Sequence, residues 1–435
     1  MSIRVIGAGL AGCEAAWQIA ERGTKVDLYE MKPLRFSPAH TSAGFAELVC
    51  SNSLKAERVE SAAGLLKEEM RRLGSLLVPC AYECRVPAGG ALAVDRDAFS
   101  VAVTKKIRSH PLIRVHTGEV TELPASGVVA TGPLTSDALA EKIAAACGGC
   151  LSFFDAAAPI VTAEGLDRGR VFAASRYGRG EDDAYLNCPM NREEYEAFYR
   201  ELVRAERAPT HGFDAADPKV YEGCMPIEIM AGRGADTVRF GPMKPVGLRD
   251  PSTGHRPWAV LQLRRENAAG TLYNLVGFQT NLKFGEQKRV FGMIPGLAHA
   301  EFARYGVMHR NTFLNSPAIL SPDFSLKTNP GLFFAGQITG VEGYMESAAS
   351  GILAGINAAR RAGGRKPLLL PETTMTGALS RYAAFGGEGP FQPMGANFGI
   401  LPSLAEPIRD KRERYAALAA RSLADLQRAL TEQET

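Results

Sequence analysis

The stretch Val5-Ile6-Gly7-Ala8-Gly9-Leu10-Ala11-Gly12 decides the fold of this chain. It ends a short apolar run, Ile3 to Ala8, and leads into residues 10 to 22, whose apolar positions recur at helical spacing up to Gly23. Lys25 to Glu30 then reads as a second strand, which makes a βαβ opening. The three glycines have separate tasks. One permits the tight turn, one lets a pyrophosphate approach the backbone at the positive helix N-terminus, and one lets the helix pack on the strand. Glu30 lies 18 residues past Gly12, at the end of the second strand, where a carboxylate can accept from a ribose hydroxyl. The expectation is a dinucleotide site built by Gly7, Ala8, Gly9, Leu10, Ala11, Gly12 and Glu30. The plain alternative is a close-packed turn beside a surface glutamate.

Two later stretches decide which dinucleotide. Val128-Val-Ala-Thr131-Gly132-Pro133 reads as a strand running into a small-residue turn, and Leu332-Phe-Phe-Ala-Gly336-Gln337 as another strand ending in glycine. After it come Gly340, Gly343 and a long apolar helix from about Met345 to Arg360, whose positive N-terminus faces the same crevice. An NAD-only domain has no use for this second half. It matches the split nucleotide domain of two-dinucleotide flavoproteins, so FAD is the expected cofactor, with Thr131, Gly132, Gly336, Gln337 and Gly343 on its far side. Flavoproteins of this type commonly carry Gly-Asp where this chain has Gly336-Gln337; an amide can also hydrogen-bond a ribityl hydroxyl.

Between the halves, residues 188 to 320 are rich in turn signals and short strand-like runs such as Ala259 to Leu263 and Tyr273 to Phe278. The expected fold class is α/β: an FAD-binding Rossmann-like (two-dinucleotide) domain, residues 1–187 and 321–435, split by an inserted α+β domain, residues 188–320. The chain has 435 residues, 46% hydrophobic and 22% charged, which excludes disorder and fibre. It holds no run of 18 apolar residues and opens without a leader, so a cytoplasmic protein with no membrane contact is expected. Eight cysteines are too sparse for a disulfide scaffold in a chain this long. Cys80 and Cys84 could join Cys147 and Cys150 around zinc, but 62 residues separate the pairs and the second pair follows a helix end where glycines are expected anyway, so no metal site is assigned. Charge is segregated. Residues 239 to 310 hold eleven Lys and Arg against four Asp and Glu, a basic stretch suited to a polyanion or simply to a solvated face.

The opening VIGAGLAGCEAAWQIAERG, then VDLYEMKP, ELVCSNSLK, YEGCMPIE, FGPMKPVGL, VGFQTNLKFGEQKRVF, YGVMHRNTF and FFAGQITGVEGYMESAASG together resemble the bacterial folate- and FAD-dependent RNA uracil-5-methyltransferases, best known for the T-loop uridine of tRNA. The resemblance spans nearly the whole chain. The glycine fingerprint and GQITG are shared with flavoproteins that modify wobble uridine, whereas the two cysteine motifs and MHRNTF single out the methyltransferase. The wobble-modifying relatives also carry a long extra helical domain for which 435 residues leave no room.

Uracil carbon 5 is a poor nucleophile until a group adds to carbon 6 and produces an enolate. A thiolate is suited to that addition; a base must then remove the carbon 5 proton, and donors must hold the enolate oxygen. Cys224 sits in Tyr221-Glu-Gly-Cys224-Met-Pro226, a rigid turn that can present a side chain. Cys50 ends an apolar run before Ser51-Asn52-Ser53. Spacing does not say that the two meet. The resemblance implies that they share the active site, Cys224 as nucleophile and Cys50 as base or protecting thiol. It likewise implies that His309 stacks on the pterin of the folate, with Arg310 and Asn311 offering donors to its edge or glutamyl tail. Lys283, Lys288 and Arg289 are candidates for RNA phosphates, against the plain reading of a solvated turn. Lys411, on a charged amphipathic helix from Arg409 to Leu430, is a further candidate, against that of a solvated helix.

The sequence thus points to methyl transfer from methylenetetrahydrofolate to a tRNA uridine, releasing tetrahydrofolate, with no stable protein partner required. A looped RNA is a cheaper substrate than a duplex because the base must leave its stack. With no second complete glycine fingerprint, NADH or NADPH is expected to visit the flavin transiently. A ribosomal RNA target, and a flavin-binding RNA adaptor without transfer chemistry, remain open alternatives. A disulfide oxidoreductase would need a redox cysteine pair at the early helix, where none occurs.

Overall fold

Parallel pairing of Ser2–Ile6 with Lys25–Glu30 on one side and Gly127–Val129 on the other starts the first sheet. The structure is a computed structural model that describes residues 2–178, 184–208, 225–387 and 391–434, with backbone alone for 150–155, 309–310 and 433–434. The sheet has six strands in the order Ser325–Leu326, Asn329–Phe334, Gly127–Val129, Ser2–Ile6, Lys25–Glu30 and Ile113–Thr117. All pairs are parallel except the first, as crossover connections of this length require. The helix Leu10–Glu21 covers one face, and the long helix Tyr344–Ala362 packs on it. Small residues bring the two helices together: a Cβ on Gly351 would stand 2.2 Å from the Ala11 carbonyl, and one on Gly355 would stand 2.6 Å from that of Ala15.

A second six-stranded sheet is antiparallel, in the order Phe172–Ala173, Tyr185–Met190, Ala259–Arg265, Leu272–Leu275, Ile160–Thr162 and Phe302–Arg304. Its own core includes Phe198, Phe278, Phe291, Leu261 and Leu263. Three strands of this sheet, Ile160–Thr162, Phe172–Ala173 and Tyr185–Met190, begin before residue 188. Ile160–Thr162 is only three residues long and pairs with Leu272–Asn274, more than 100 residues away, so no local pattern marks it. An antiparallel ribbon of Cys150–Ala156 and Met308–Leu314 runs where the chain leaves and re-enters the first domain. Among the described residues, no helix is long and apolar enough to cross a membrane. The last helix, Lys411–Glu434, docks through Ser422, whose hydroxyl donates 2.5 Å to the buried Glu69.

Candidate functional site: a dinucleotide cleft meeting a clamped thiol

The three glycines of the turn have different surroundings. Gly7, at φ +95°, is held against the neighbouring strand end, where a Cβ would meet the Ala130 carbonyl at 2.6 Å. A Cβ on Gly12 would stand 1.8 Å from the Gly7 carbonyl, so that glycine is required for helix and turn to touch. A Cβ on Gly9 meets no heavy atom within 4 Å and opens on the cleft. Glu30 ties the turn to the second strand: Oε2 accepts from the Ala8 amide at 2.7 Å and Oε1 from the Lys32 amide at 3.0 Å. Each oxygen keeps a lone pair for a ribose hydroxyl.

The cleft encloses about 1130 Å³, counted out to open solvent. Gly7, Gly9, Leu10, Ala11, Glu30, Thr131, Gly132, Gly336 and Gln337 line it. Ala8, Gly12 and Gly343 stand behind the wall, Gly343 as the residue before the long helix, with φ +124°. The N-termini of Leu10–Glu21 and Tyr344–Ala362 both open on this space, a pair of positive ends suited to a pyrophosphate. The Gly336 amide donates 2.7 Å to Ser350 Oγ, and the Gln337 amide group is held by Glu342 Oε2 at 2.7 Å. The open Gly9 face, the Glu30 carboxylate and the paired helix ends fit an extended dinucleotide such as FAD. Sequence reasoning missed Lys32, His40, Glu47 and Tyr344 in the lining. Burial, then the Lys32 charge, holds the His40 imidazole below its ordinary range, and Ser37 Oγ lies 2.6 Å from its Nδ1. A lone histidine in a loop gave no signal of this.

At one end of the cleft the loop carrying Cys50 is clamped from three elements. The Tyr344 hydroxyl accepts from the Cys50 amide at 2.7 Å and the Ser51 amide at 3.2 Å. Burial, then the proximity of Cys50, pushes that phenol well above its ordinary range, so it keeps its proton. Arg96 donates to the Leu48 carbonyl and, through Nη2 at 2.8 Å, to Glu266. Arg264, from the second sheet, donates at 2.8 Å to both Asn52 Oδ1 and Ser51 Oγ, while Asn52 Nδ2 reaches the Val94 and Arg265 carbonyls. Arg304 stands within electrostatic reach of Cys50; its charge is disfavoured by burial and then by Arg96. The Cys50 thiol points at the Ala156 carbonyl, 3.8 Å away.

Ala156 pairs with Met308, so the backbone of His309 lies one register step from the residue beside the thiol. His309 and Arg310 are described by backbone only, and Asn311 on the same strand is buried. Cys224 lies outside the described residues. The chain on either side of it is fixed to one stretch: the Ala208 amide donates to the Asn281 carbonyl and the Ile227 amide to the Gln279 carbonyl, each at 2.7 Å. Of the basic candidates, Lys283 is paired with Glu206 at 2.5 Å and Arg289 with Glu201 and Glu286. Lys288 is exposed and without a carboxylate partner among the described residues. Lys411 is exposed and lies over the Tyr415 ring. No three His, Cys, Asp or Glu side chains gather as metal ligands among the described residues.

Comparison with known proteins adds the family. The model of the family described as "Glucose inhibited division protein A" matches residues 2–366. The methylenetetrahydrofolate–tRNA-(uracil-5-)-methyltransferases TrmFO of Pelotomaculum thermopropionicum and Desulforudis audaxviator are each 59% identical, covering 98% of this chain and 98% of their own. Aquifex aeolicus GidA superposes with a TM-score of 0.72 at 18% identity, covering 99% of this chain and 77% of its own, a likeness of fold. The match runs through the glycine turn, the inserted domain and the late strand alike, and the chain belongs to the glucose-inhibited division protein A family, on its folate-dependent tRNA uracil-5-methyltransferase branch.

Proposed function

We propose that this protein is a folate-dependent flavoprotein that methylates carbon 5 of a uridine in the T-loop of tRNA. The observation that carries the reading is the clamped Cys50 thiol at the end of a dinucleotide cleft, on a chain 59% identical over 98% of its length to enzymes named for this reaction. FAD, when bound along Gly9 and Glu30 and reduced by NADH or NADPH, supplies reducing equivalents for a one-carbon unit that comes from methylenetetrahydrofolate. The protein's own groups do the remainder. Cys224 adds as a thiolate to carbon 6 of the uracil, placing the electron pair on the enolate oxygen and making carbon 5 nucleophilic. Cys50 takes the proton from carbon 5 once the new carbon bond has formed, and the one-carbon unit's bond to its donor nitrogen breaks to leave an exocyclic methylene. A hydride equivalent originating in NADH or NADPH turns that methylene into methyl, and the resulting enolate expels Cys224. His309, Arg310 and Asn311 hold the folate on the ribbon strand beside Ala156.

The Cys50 loop is built for a positioned group. Its backbone amides, its neighbouring hydroxyl and its preceding carbonyl are each bonded to a different element, which fixes the thiol against drift. Such a reaction needs tRNA, folate and pyridine nucleotide together, hence a cytoplasmic setting. Incubating the flavin-loaded protein with carbon-labelled methylenetetrahydrofolate, NADPH and an unmodified tRNA transcript tests the reading. Label in 5-methyluridine of the T-loop is expected. Label in no base, with full flavin occupancy and bound RNA, refutes it and favours a binding role.

A further inference from the structure

Phe302, Tyr305 and Phe284 form a ladder of near-parallel rings that runs from the second core to solvent. Tyr305 stacks on Phe302 with ring centroids 5.1 Å apart and planes within 3°, and Phe284 stacks on Tyr305 at 4.7 Å and 15°. Phe302 packs against the core, while Phe284, first residue of the helix Phe284–Phe291, is 54% exposed. In the core beside it, Phe278 meets Phe291 edge to face at 70° and stacks on Phe198 at 28°. The ladder is also held rigid. Buried Gln287 accepts from the Gly306 amide at 2.8 Å and donates to the Gly306 and Leu282 carbonyls, so the turn bearing Tyr305 and the helix bearing Phe284 cannot shift separately. The next residue, Val307, accepts at 2.8 Å from the amide of Ala157, neighbour of the Ala156 carbonyl that the Cys50 thiol addresses.

We propose that this ladder is a stacking platform on which an unpaired nucleobase of the RNA substrate lies against the open face of Phe284. The proposal rests on the RNA-methylating reading above. A single-stranded loop presents flat π-faces that any exposed ring in such a stack accepts without sequence preference, and a base stacked on an aromatic side chain contributes about 1–3 kcal/mol. The local charges assign the work to stacking. Lys283 and Arg289 are neutralised by Glu206, Glu201 and Glu286, while Lys288, one turn beyond Phe284, has no carboxylate partner among the described residues. A second protein copy would also cover Phe284, but it would not require three stacked, near-parallel rings tied to the strand beside the thiol.

Fluorescence anisotropy with a labelled tRNA transcript tests this. Phe284→Ala should weaken binding by a factor of about 5 to 150, with an unchanged salt slope, full flavin and unchanged NADPH oxidation. Tyr305→Leu should weaken it as well. Phe284→Trp should bind as wild type, with indole emission quenched by the RNA. Wild-type affinity in both Phe284→Ala and Tyr305→Leu overturns the platform while leaving the methyltransferase reading intact. A change of oligomeric state in Phe284→Ala at unchanged RNA affinity overturns it in favour of a protein contact. A wild-type protein that neither binds nor methylates tRNA overturns the functional reading, and the platform with it.

Discussion

The hydroxyl of Tyr344 accepts hydrogen bonds from the backbone amides of Cys50 and Ser51, 294 and 293 residues earlier in the chain, and so joins the start of the long cleft helix to the thiol loop. The same phenol lines the dinucleotide cleft, so one side chain reaches both the cleft and the thiol loop.

Tyr344→Phe keeps the ring and removes the acceptor. Two amides at a partly buried loop lose their partner, which costs about 1–3 kcal/mol for an unsatisfied donor. The expected outcome is a yellow protein whose single-turnover methyl transfer is slowed roughly 10- to 100-fold at saturating tRNA and folate. An unaltered rate would show that the loop holds its shape without the phenol.

Gly9 and Gly12 separate binding from folding. A side chain at Gly9 enters empty cleft, so Gly9→Val should purify folded, with an ordinary melting curve and little flavin absorbance. Gly12→Val has no space and should fail to give folded protein. Full flavin occupancy in Gly9→Val would move the cofactor elsewhere.

The two thiols are distinguished by what they trap. With RNA containing 5-fluorouracil, a slow-migrating adduct is expected on denaturing gels for the wild type and for Cys50→Ala, and none for Cys224→Ala. An adduct in Cys224→Ala but not in Cys50→Ala would reverse their roles.

Glu14 makes stability depend on pH. Burial raises its carboxyl from 4.5 to about 7 even though Ser75 Oγ and the Leu77 and Leu76 amides bond to it. The native state therefore holds a proton that the unfolded state releases above about pH 4.5. This contribution is complete at lower pH, declines as pH rises, and is lost above about pH 7. The span corresponds to about 3 kcal/mol. Melting temperatures of Glu14→Gln and wild type, compared at pH 5 and pH 8, should differ in favour of the glutamine variant at the higher pH. An equal difference at both pH values would contradict it.

Legibility in the sequence followed contact distance. The glycine turn, the strand Lys25–Glu30 and the acid at its end are local features, and periodicity located them to within a residue or two. The Cys50 clamp joins Tyr344, Arg96 and Arg264 from distant segments, so no window of sequence contains it. The basic stretch illustrates the converse. Charge counting points to Lys283 and Arg289, but of their carboxylate partners Glu206 and Glu201 lie outside residues 239–310, while Glu286 lies within. Ile160–Thr162 escaped notice because a three-residue strand carries no period.

The close approach of Gly351 and Gly355 to Ala11 and Ala15 sets an order of events during synthesis. The helix Leu10–Glu21 precedes the surface that covers it by more than 300 residues in the chain. Domains ordinarily fold as they emerge, N-terminal first. Here the second sheet, whose strands all precede residue 305, is available before the first sheet receives Asn329–Phe334 and its long helix. The apolar face of the early βαβ unit therefore stays uncovered until residues 344–362 have followed it in the chain.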